Sequence, residues 1–177
     1  MLDDLLICSF QQNRIIIVNT LTYHLYMKIL RSEILLPITL QVAWDFFSSP
    51  NNLNKITPSD MIFKITSVVP DKMYAGLLIT YKITPLLNIP MDWVTEITHI
   101  DEPHYFIDEQ RKGPYRIWHH EHHFKASAEG TIMTDLLYYD VGKNVFGWLA
   151  EKLFVDAQVK KIFKYREEKL KEIFPEI

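Results

Sequence analysis

The sequence is organised around residues 108–124, which read DEQRKGPYRIWHHEHHF. This stretch contains four of the seven histidines of the chain, and Gly113-Pro114 divides it. Because Gly-Pro is a strong turn signal, we expect two strands that meet there. The second strand carries a row of polar and aromatic groups, where a plain surface strand would alternate apolar with charged residues. This composition predicts that the hairpin lines a cavity.

Strand alternation divides the histidines between two faces. Successive side chains of a strand point to opposite sides of the sheet. One face therefore receives Trp118, His120, His122 and Phe124. The other face receives His119, Glu121 and His123. A four-histidine motif thus becomes two separate pairs, and we assign the first pair to the interior.

The turn that follows predicts the partner of the interior pair. A four-residue turn at 127–130 pairs Ala126 with Thr131. Counting back from there places His122 opposite Asp135, His120 opposite Leu137 and Trp118 opposite Tyr139. Asp135 would favour the protonated imidazole or fix its tautomer. The prediction depends on turn length, since a slip of one residue exchanges the two faces.

The strand before the Gly-Pro turn contributes further side chains to the face that carries His120 and His122. A three-residue turn at 112–114 would set Asp108 opposite Trp118 and Phe106 opposite His120. Gln110 shares this face, and Trp93 on an earlier strand could form part of the wall. We therefore predict one polar patch in an aromatic-lined space, made of Asp108, Gln110, His120, His122 and Asp135.

Composition excludes several classes of function. The net charge is −3, so a basic nucleic-acid-binding face is not indicated. Five glycines leave little material for phosphate-binding loops, and no Walker, Rossmann or GxSxG pattern occurs. The single cysteine, Cys8, rules out an internal disulfide and fits a reducing, cytoplasmic compartment. The length of 177 residues predicts one domain with an ordinary core.

Residues 1–26 do not match the rest of the chain. Their apolar runs are shorter than the roughly 20 residues that span a bilayer, and acidic residues stand where a secretory signal carries basic ones. We interpret 1–26 as a disordered leader or a mis-called start, with translation beginning at Met27. The alternative is a genuine extra strand at 14–18.

The remaining sequence, 27–177, predicts an α+β domain. A strand at 28–36 ends at Pro37, and Thr39 caps a short helix that a second helical turn at 51–56 follows. Strands with short turns then indicate an antiparallel meander, over 61–69, 76–84, 91–100, 105–111, 115–125 and 131–141. Apolar residues at spacings of three and four predict a helix over 145–174. A curved seven-stranded sheet can wrap around such a helix.

The sequence resembles the START-related SRPBCC superfamily, the helix-grip fold of polyketide cyclases and birch-pollen-allergen-like proteins. More narrowly, it is similar to a bacterial ligand-binding branch described as "cell division inhibitor"-like. The resemblance covers about 27–177 and is carried by Pro37, 43–48, Pro50, 51–58, Ile89-Pro90, Trp93, Glu96, Phe106, 108–110, 113–115, Trp118, His120, His122, Phe124, Gly130-Thr131, Met133 and Asp135. One departure is Val141-Gly142-Lys143, where the family pattern suggests a proline before the glycine.

The resemblance implies an internal cavity for a hydrophobic or amphipathic small molecule, with no uniform activity. Three interpretations of the patch remain open: it orients the polar end of a ligand held by a carrier or sensor, it performs cyclase- or dehydratase-type acid–base chemistry, or it is a structural element of an interaction module. We favour the first, without cofactor, metal or nucleic acid. The candidate ligand-binding residues are Trp93, Phe106, Asp108, Gln110, Trp118, His120, His122 and Asp135.

Overall fold

A computed structural model describes residues 27–86, 89–141 and 148–175. The interpretation of residues 1–26 and the departure at Gly142-Lys143 lie outside the described residues. The elements run in the order β1 (Lys28–Leu36), α1 (Leu40–Phe47), 3₁₀ segments (Pro50–Ile56 and Ser59–Met61), β2 (Lys64–Ile65), β3 (Leu77–Leu86), β4 (Ile89–Asp101), β5 (Tyr105–Lys112), β6 (Ile117–Ser127), β7 (Gly130–Asp140) and α2 (Trp148–Ile173).

The strands of the described ranges form a seven-stranded antiparallel sheet in the order β1-β7-β6-β5-β4-β3-β2. The predicted α+β fold, with two short helical segments after the first strand and a long C-terminal helix, is confirmed. In the part of the chain that the structure describes, no helix has the length and apolar character needed to cross a bilayer.

Local sequence explains the first helix. The hydroxyl of Thr39 accepts a hydrogen bond from the backbone N–H of Val42, which caps the first turn of α1. Helical spacing then turns Ala43, Trp44 and Phe47 into the core. The helix ends at Phe47, before the Ser-Ser-Pro sequence at 48–50. It therefore covers one end of the sheet, where Trp44 contacts Phe106 and Phe124 edge to face.

The predicted register between β6 and β7 is confirmed. Ala126 pairs with Thr131, His122 with Asp135 and His120 with Leu137. The turn depends on Gly130, whose φ of +140° is rarely adopted by other residues. A Cβ atom there would also collide with the carbonyl oxygen of Leu36 at the end of β1. This close approach ties the turn to the neighbouring strand.

The predicted register between β5 and β6 is wrong by two residues. Asp108 pairs with His120 instead of Trp118, and Phe106 pairs with His122 instead of His120. The connection is longer than predicted because the side chain of Gln110 closes it, donating to the carbonyl of Tyr115 and accepting from its N–H. A shift of two keeps every side chain on its predicted face, so the inner face is unchanged.

The strand predicted over 61–69 is present but much shorter: β2 covers Lys64–Ile65, and the N–H of Thr66 also donates to the carbonyl of Thr80 on β3. Residues Ser59–Met61 form a 3₁₀ turn, and Ile62 follows with a positive φ of 38° that an extended strand cannot contain. Because β2 is the edge strand of the described sheet, it pairs with a single strand, β3. Few backbone hydrogen bonds would therefore be gained by a longer β2.

Among the described residues, three apolar clusters make up the core and leave space between them. The first joins α1 to β1 and β7 through Trp44, Leu36 and Met133. The second packs α2 on β1 and β7 through Val159, Leu30 and Leu137. The third lies on β3 and β4 and consists of Leu77, Ile79, Tyr81, Ile83 and Ile97. The region between the clusters is the cavity described next.

Candidate functional site

A cavity of about 180 Å³ lies between the sheet, the 3₁₀ segments and α2. Its walls are mainly aromatic and aliphatic, including Ile79, Tyr81 and Trp93 from β3 and β4. Trp93 and Trp118 meet edge to face with ring centroids 5.3 Å apart. The indole N–H of Trp93 donates to the hydroxyl of Thr95, so the ring is held against the wall.

One wall of the cavity is charged. We use the name inner cluster for four residues that line this wall and one that lies behind it. Asp108 on β5, His120 and His122 on β6 and Arg166 on α2 line the cavity, and Asp135 on β7 lies behind the histidines. The centre of the cluster is the ring of His122, whose Nε2 lies 2.9 Å from Asp108 Oδ2 and whose Nδ1 lies 2.7 Å from Asp135 Oδ1. His120 Nε2 lies 3.2 Å from the same Asp135 oxygen.

Aromatic packing holds the two imidazoles in place. The ring of His122 stacks on Phe106 with centroids 4.2 Å apart, and its other neighbour is His120 at 3.9 Å. His120 also contacts Phe163 of α2. Both histidines are almost fully buried, with 3% and 6% of their surface exposed. The cluster is therefore a rigid element of the wall.

Burial and pairing shift the pKa values of the two histidines in opposite directions. Burial disfavours the charged form of both residues, but hydrogen bonding to Asp108 and Asp135 outweighs it for His122 and raises the pKa of that imidazole. For His120, burial and the nearby His122 charge prevail and lower the pKa. His122 therefore holds a proton more readily than His120, and the two carboxylates within 3 Å of its ring nitrogens fit an imidazolium there.

Both carboxylates of the inner cluster are ionised. Burial opposes this state, yet the hydrogen bond from His122 and the nearby positive charge outweigh it and hold the pKa of Asp108 below its usual value. The pKa of Asp135 lies well below its usual value for the same reason, with Arg166 contributing further. The cluster thus contains two negative and two positive charges, and it is neutral as a whole.

Two N–H groups of Arg166 are not used in hydrogen bonds within the described residues. Its Nη1 lies 3.5 Å from Asp135 Oδ2, an ion pair without hydrogen-bond geometry. Within the described residues, the buried Nε and Nη1 atoms have no hydrogen-bond acceptor. A guanidinium is only a donor, so these two N–H groups are unsatisfied in a residue that lines the cavity.

The structure brings together most of the candidate ligand-binding residues from the sequence. Six of them line the cavity, namely Trp93, Phe106, Asp108, Trp118, His120 and His122. Asp135 lies behind the histidines as their partner. Gln110 lies outside the cavity lining of the described residues, because its amide is engaged in the loop with Tyr115. That any of these residues contacts a ligand stays a prediction.

Sequence reasoning missed the role of Arg166. A signal was available, since Arg166 occupies the same helical stripe as Val159, Phe163 and Leu170, which are all buried. A charged residue at a core position of an amphipathic helix needs a buried partner of opposite charge. Tyr81, Thr95 and Tyr115 also line the cavity without having been identified.

The outer face of β6 carries a second cluster in a different setting. We use the name outer cluster for Glu109, His119, Glu121 and His123. Glu121 accepts contacts from His119 Nε2 at 3.3 Å and His123 Nε2 at 2.8 Å, while His119 Nδ1 lies 3.0 Å from Glu109. These side chains are 21–45% exposed. Strand alternation therefore predicted correctly which histidines lie on the inner face and which lie on the outer face.

In the described parts of the chain, one group of three residues has ligand atoms close enough to hold a metal ion: Asp108, His120 and His122, within 4.8 Å of one another. The same atoms are engaged in the ion pairs of the inner cluster. A metal would have to displace the proton of His122, because metal ligation requires a neutral imidazole. The expectation of no metal stays a prediction.

Comparison with solved structures identifies the fold. The chain is similar to protein Ms6760 from Mycobacterium smegmatis, with 17% identity, a TM-score of 0.59, and coverage of 82% of this chain and 89% of that chain. It is similar to major latex-like protein 151 from Panax ginseng, with 13% identity, a TM-score of 0.61, and coverage of 85% and 99%. It is also similar to Ara h 8.0201, with 13% identity, a TM-score of 0.52, and coverage of 81% of this chain and 97% of that chain.

No protein-family model and no curated protein sequence matches the chain. The structural similarity shows that the chain shares the fold of these proteins, which is the predicted helix-grip fold. Assignment to the bacterial "cell division inhibitor"-like branch stays a prediction.

Proposed function

We propose that the protein binds a small hydrophobic or amphipathic molecule in the cavity between sheet and α2, and acts as a carrier or sensor. The observation that carries this proposal is the combination of an apolar, aromatic-lined cavity of about 180 Å³ with one charged wall. Pockets with apolar walls and a few convergent polar groups are the usual form of small-molecule sites.

The geometry favours binding over the acid–base alternative. A general acid must present a proton to the substrate. Both ring nitrogens of His122 lie within 3 Å of a carboxylate oxygen, on Asp108 or Asp135. The Nε2 of His122 is hydrogen-bonded to Asp108, and its buried Nδ1 faces Asp135 as an ion pair, so neither nitrogen is offered to a substrate. The cluster therefore serves to position a ligand group.

The proposal is tested by extracting natively purified protein with organic solvent and analysing the extract by mass spectrometry. A compound present in stoichiometric amount is expected. A cavity-filling variant, Met73→Trp, should lose it, since Met73 lines the cavity.

The matched control is Tyr74→Trp, because the neighbouring Tyr74 is 58% exposed and is outside the described cavity lining. Tyr74→Trp should retain the compound at the wild-type level. Loss from both variants, or equal retention by both, would place the compound outside the cavity and contradict the proposal.

A further inference from the structure

The inner cluster restricts the charge of the ligand, given the proposed function. The two carboxylates, Asp108 and Asp135, each lie within 3 Å of a ring nitrogen of His122, and Arg166 lies 3.5 Å from Asp135, so two anionic groups face two cationic ones. A carboxylate placed against this wall would leave a buried negative charge without compensation, and an ammonium group would leave a positive one. An uncompensated buried charge is strongly unfavourable. The balance therefore favours a ligand without a formal charge.

The unpaired N–H groups of Arg166 define what the ligand must carry. Nε and Nη1 are fully buried in the wall and lack an acceptor among the described residues, while the Arg166 side chain as a whole lines the cavity. An oxygen with free lone pairs would satisfy them, whereas a pure hydrocarbon would leave them unpaired. Hydrogen bonds to a charged donor are stronger than those between neutral groups. The head group is thus an acceptor, such as a carbonyl or hydroxyl oxygen.

The volume limits the rest of the ligand. An apolar cavity of about 150 Å³ accommodates benzene, so one of about 180 Å³ is suited to a single substituted ring. Flat aromatic walls from Trp93, Trp118 and Phe106 favour a ring over a flexible chain.

We propose that the occupant is an uncharged molecule about one ring in size, whose carbonyl or hydroxyl oxygen accepts hydrogen bonds from the Arg166 guanidinium. This inference rests on the proposed function but is narrower than it. It assigns Arg166 the role of recognising the head group, and it assigns the aromatic walls the role of selecting shape.

Four probes with the same ring test the proposal: ethylbenzene, acetophenone, benzoate and benzylammonium at pH 7. Binding is followed by NMR on ¹⁵N-labelled full-length protein, using the indole N–H signals of Trp93 and Trp118. We expect acetophenone to bind about tenfold more tightly than ethylbenzene, because one hydrogen bond to a charged donor increases the affinity by about this factor. Benzoate and benzylammonium should bind more weakly than either.

A substitution separates recognition by Arg166 from general affinity. Arg166→Lys retains the positive charge but replaces the rigid fork with a flexible ammonium. The ratio of the acetophenone affinity to the ethylbenzene affinity should fall to about twofold or less. Lys164→Arg on the exposed side of the same helix is the control and should leave both affinities unchanged.

Equal binding of acetophenone and ethylbenzene by the wild-type protein would overturn the role of Arg166 while leaving the proposed function in place. Tighter binding of benzoate or benzylammonium would overturn the inference of a neutral ligand, again without affecting the proposed function. Absence of binding by all four probes, together with no co-purifying compound, would overturn both.

Discussion

The two faces of β6 carry the same residue types with opposite consequences. On the inner face, His120 and His122 meet Asp108, Asp135 and Arg166 with almost no exposure to water. On the outer face, His119 and His123 contact Glu109 and Glu121. Their nitrogen–oxygen distances are similar to those of the inner cluster, but these side chains are partly exposed. Water screens charges at the surface and is excluded from the interior. Burial, more than residue identity, therefore makes one cluster a candidate site and the other a surface feature.

The largest effect is expected from removing one charge of the inner cluster. Asp135→Asn leaves His122 and Arg166 with an excess of buried positive charge. Breaking a buried pair in this way costs about 3–5 kcal/mol of the free energy of unfolding. Urea denaturation followed by tryptophan fluorescence measures the loss.

The outer cluster offers the matched change, Glu121→Gln, which removes one carboxylate from two histidines at the surface. Here we expect a loss of at most about 1 kcal/mol, because exposed ion pairs contribute little. Similar losses for the two variants would show that the faces do not differ as we describe.

A smaller effect is expected from the turn that brings Asp135 opposite His122. Gly130→Ala should lower the free energy of unfolding by about 1–3 kcal/mol, since a methyl group meets both an unfavourable φ and the carbonyl of Leu36. Gly76→Ala is the control: Gly76 has a positive φ of 91° but open space around its Cβ position. Chemical denaturation should rank Gly130→Ala as the more damaging change, and the reverse order would rule out the collision.

The smallest effect concerns pH. His122 has a raised pKa in the folded protein, so its stabilising contribution is complete below the unfolded value of about 6.5 and is lost as the pH rises through the folded value. His120 has a lowered pKa, so its contribution is complete above about 6.5 and is lost as the pH falls. The groups that face them are Asp108, Asp135 and Arg166. We expect stability to be greatest near neutral pH.

Urea denaturation between pH 5 and 9 measures this profile. His122→Gln should remove the decline on the alkaline side, whereas His123→Gln on the outer face should leave it in place. An alkaline decline that survives in His122→Gln would assign it to other groups.

Sequence reasoning predicted the β6–β7 register because that turn is short and Gly130 fixes its geometry. The predicted register of β5 against β6 is wrong by two residues because the side chain of Gln110 closes the connecting loop. No local sequence pattern predicts such a contact. The short β2 was overestimated for a related reason: apolar composition indicates a strand, but Ile62 turns the backbone away.

The sequence by itself determined the curved sheet with its long helix, and the separation of the four histidines into an inner and an outer pair. Both follow from periodicity and turn length, which are local properties of the chain. Only the tertiary structure decided that Arg166 completes the inner cluster and that the three core clusters leave a cavity beside it. Those features depend on how a helix distant in sequence packs across the strands, and the free energy of burying its charge depends on every element that surrounds it.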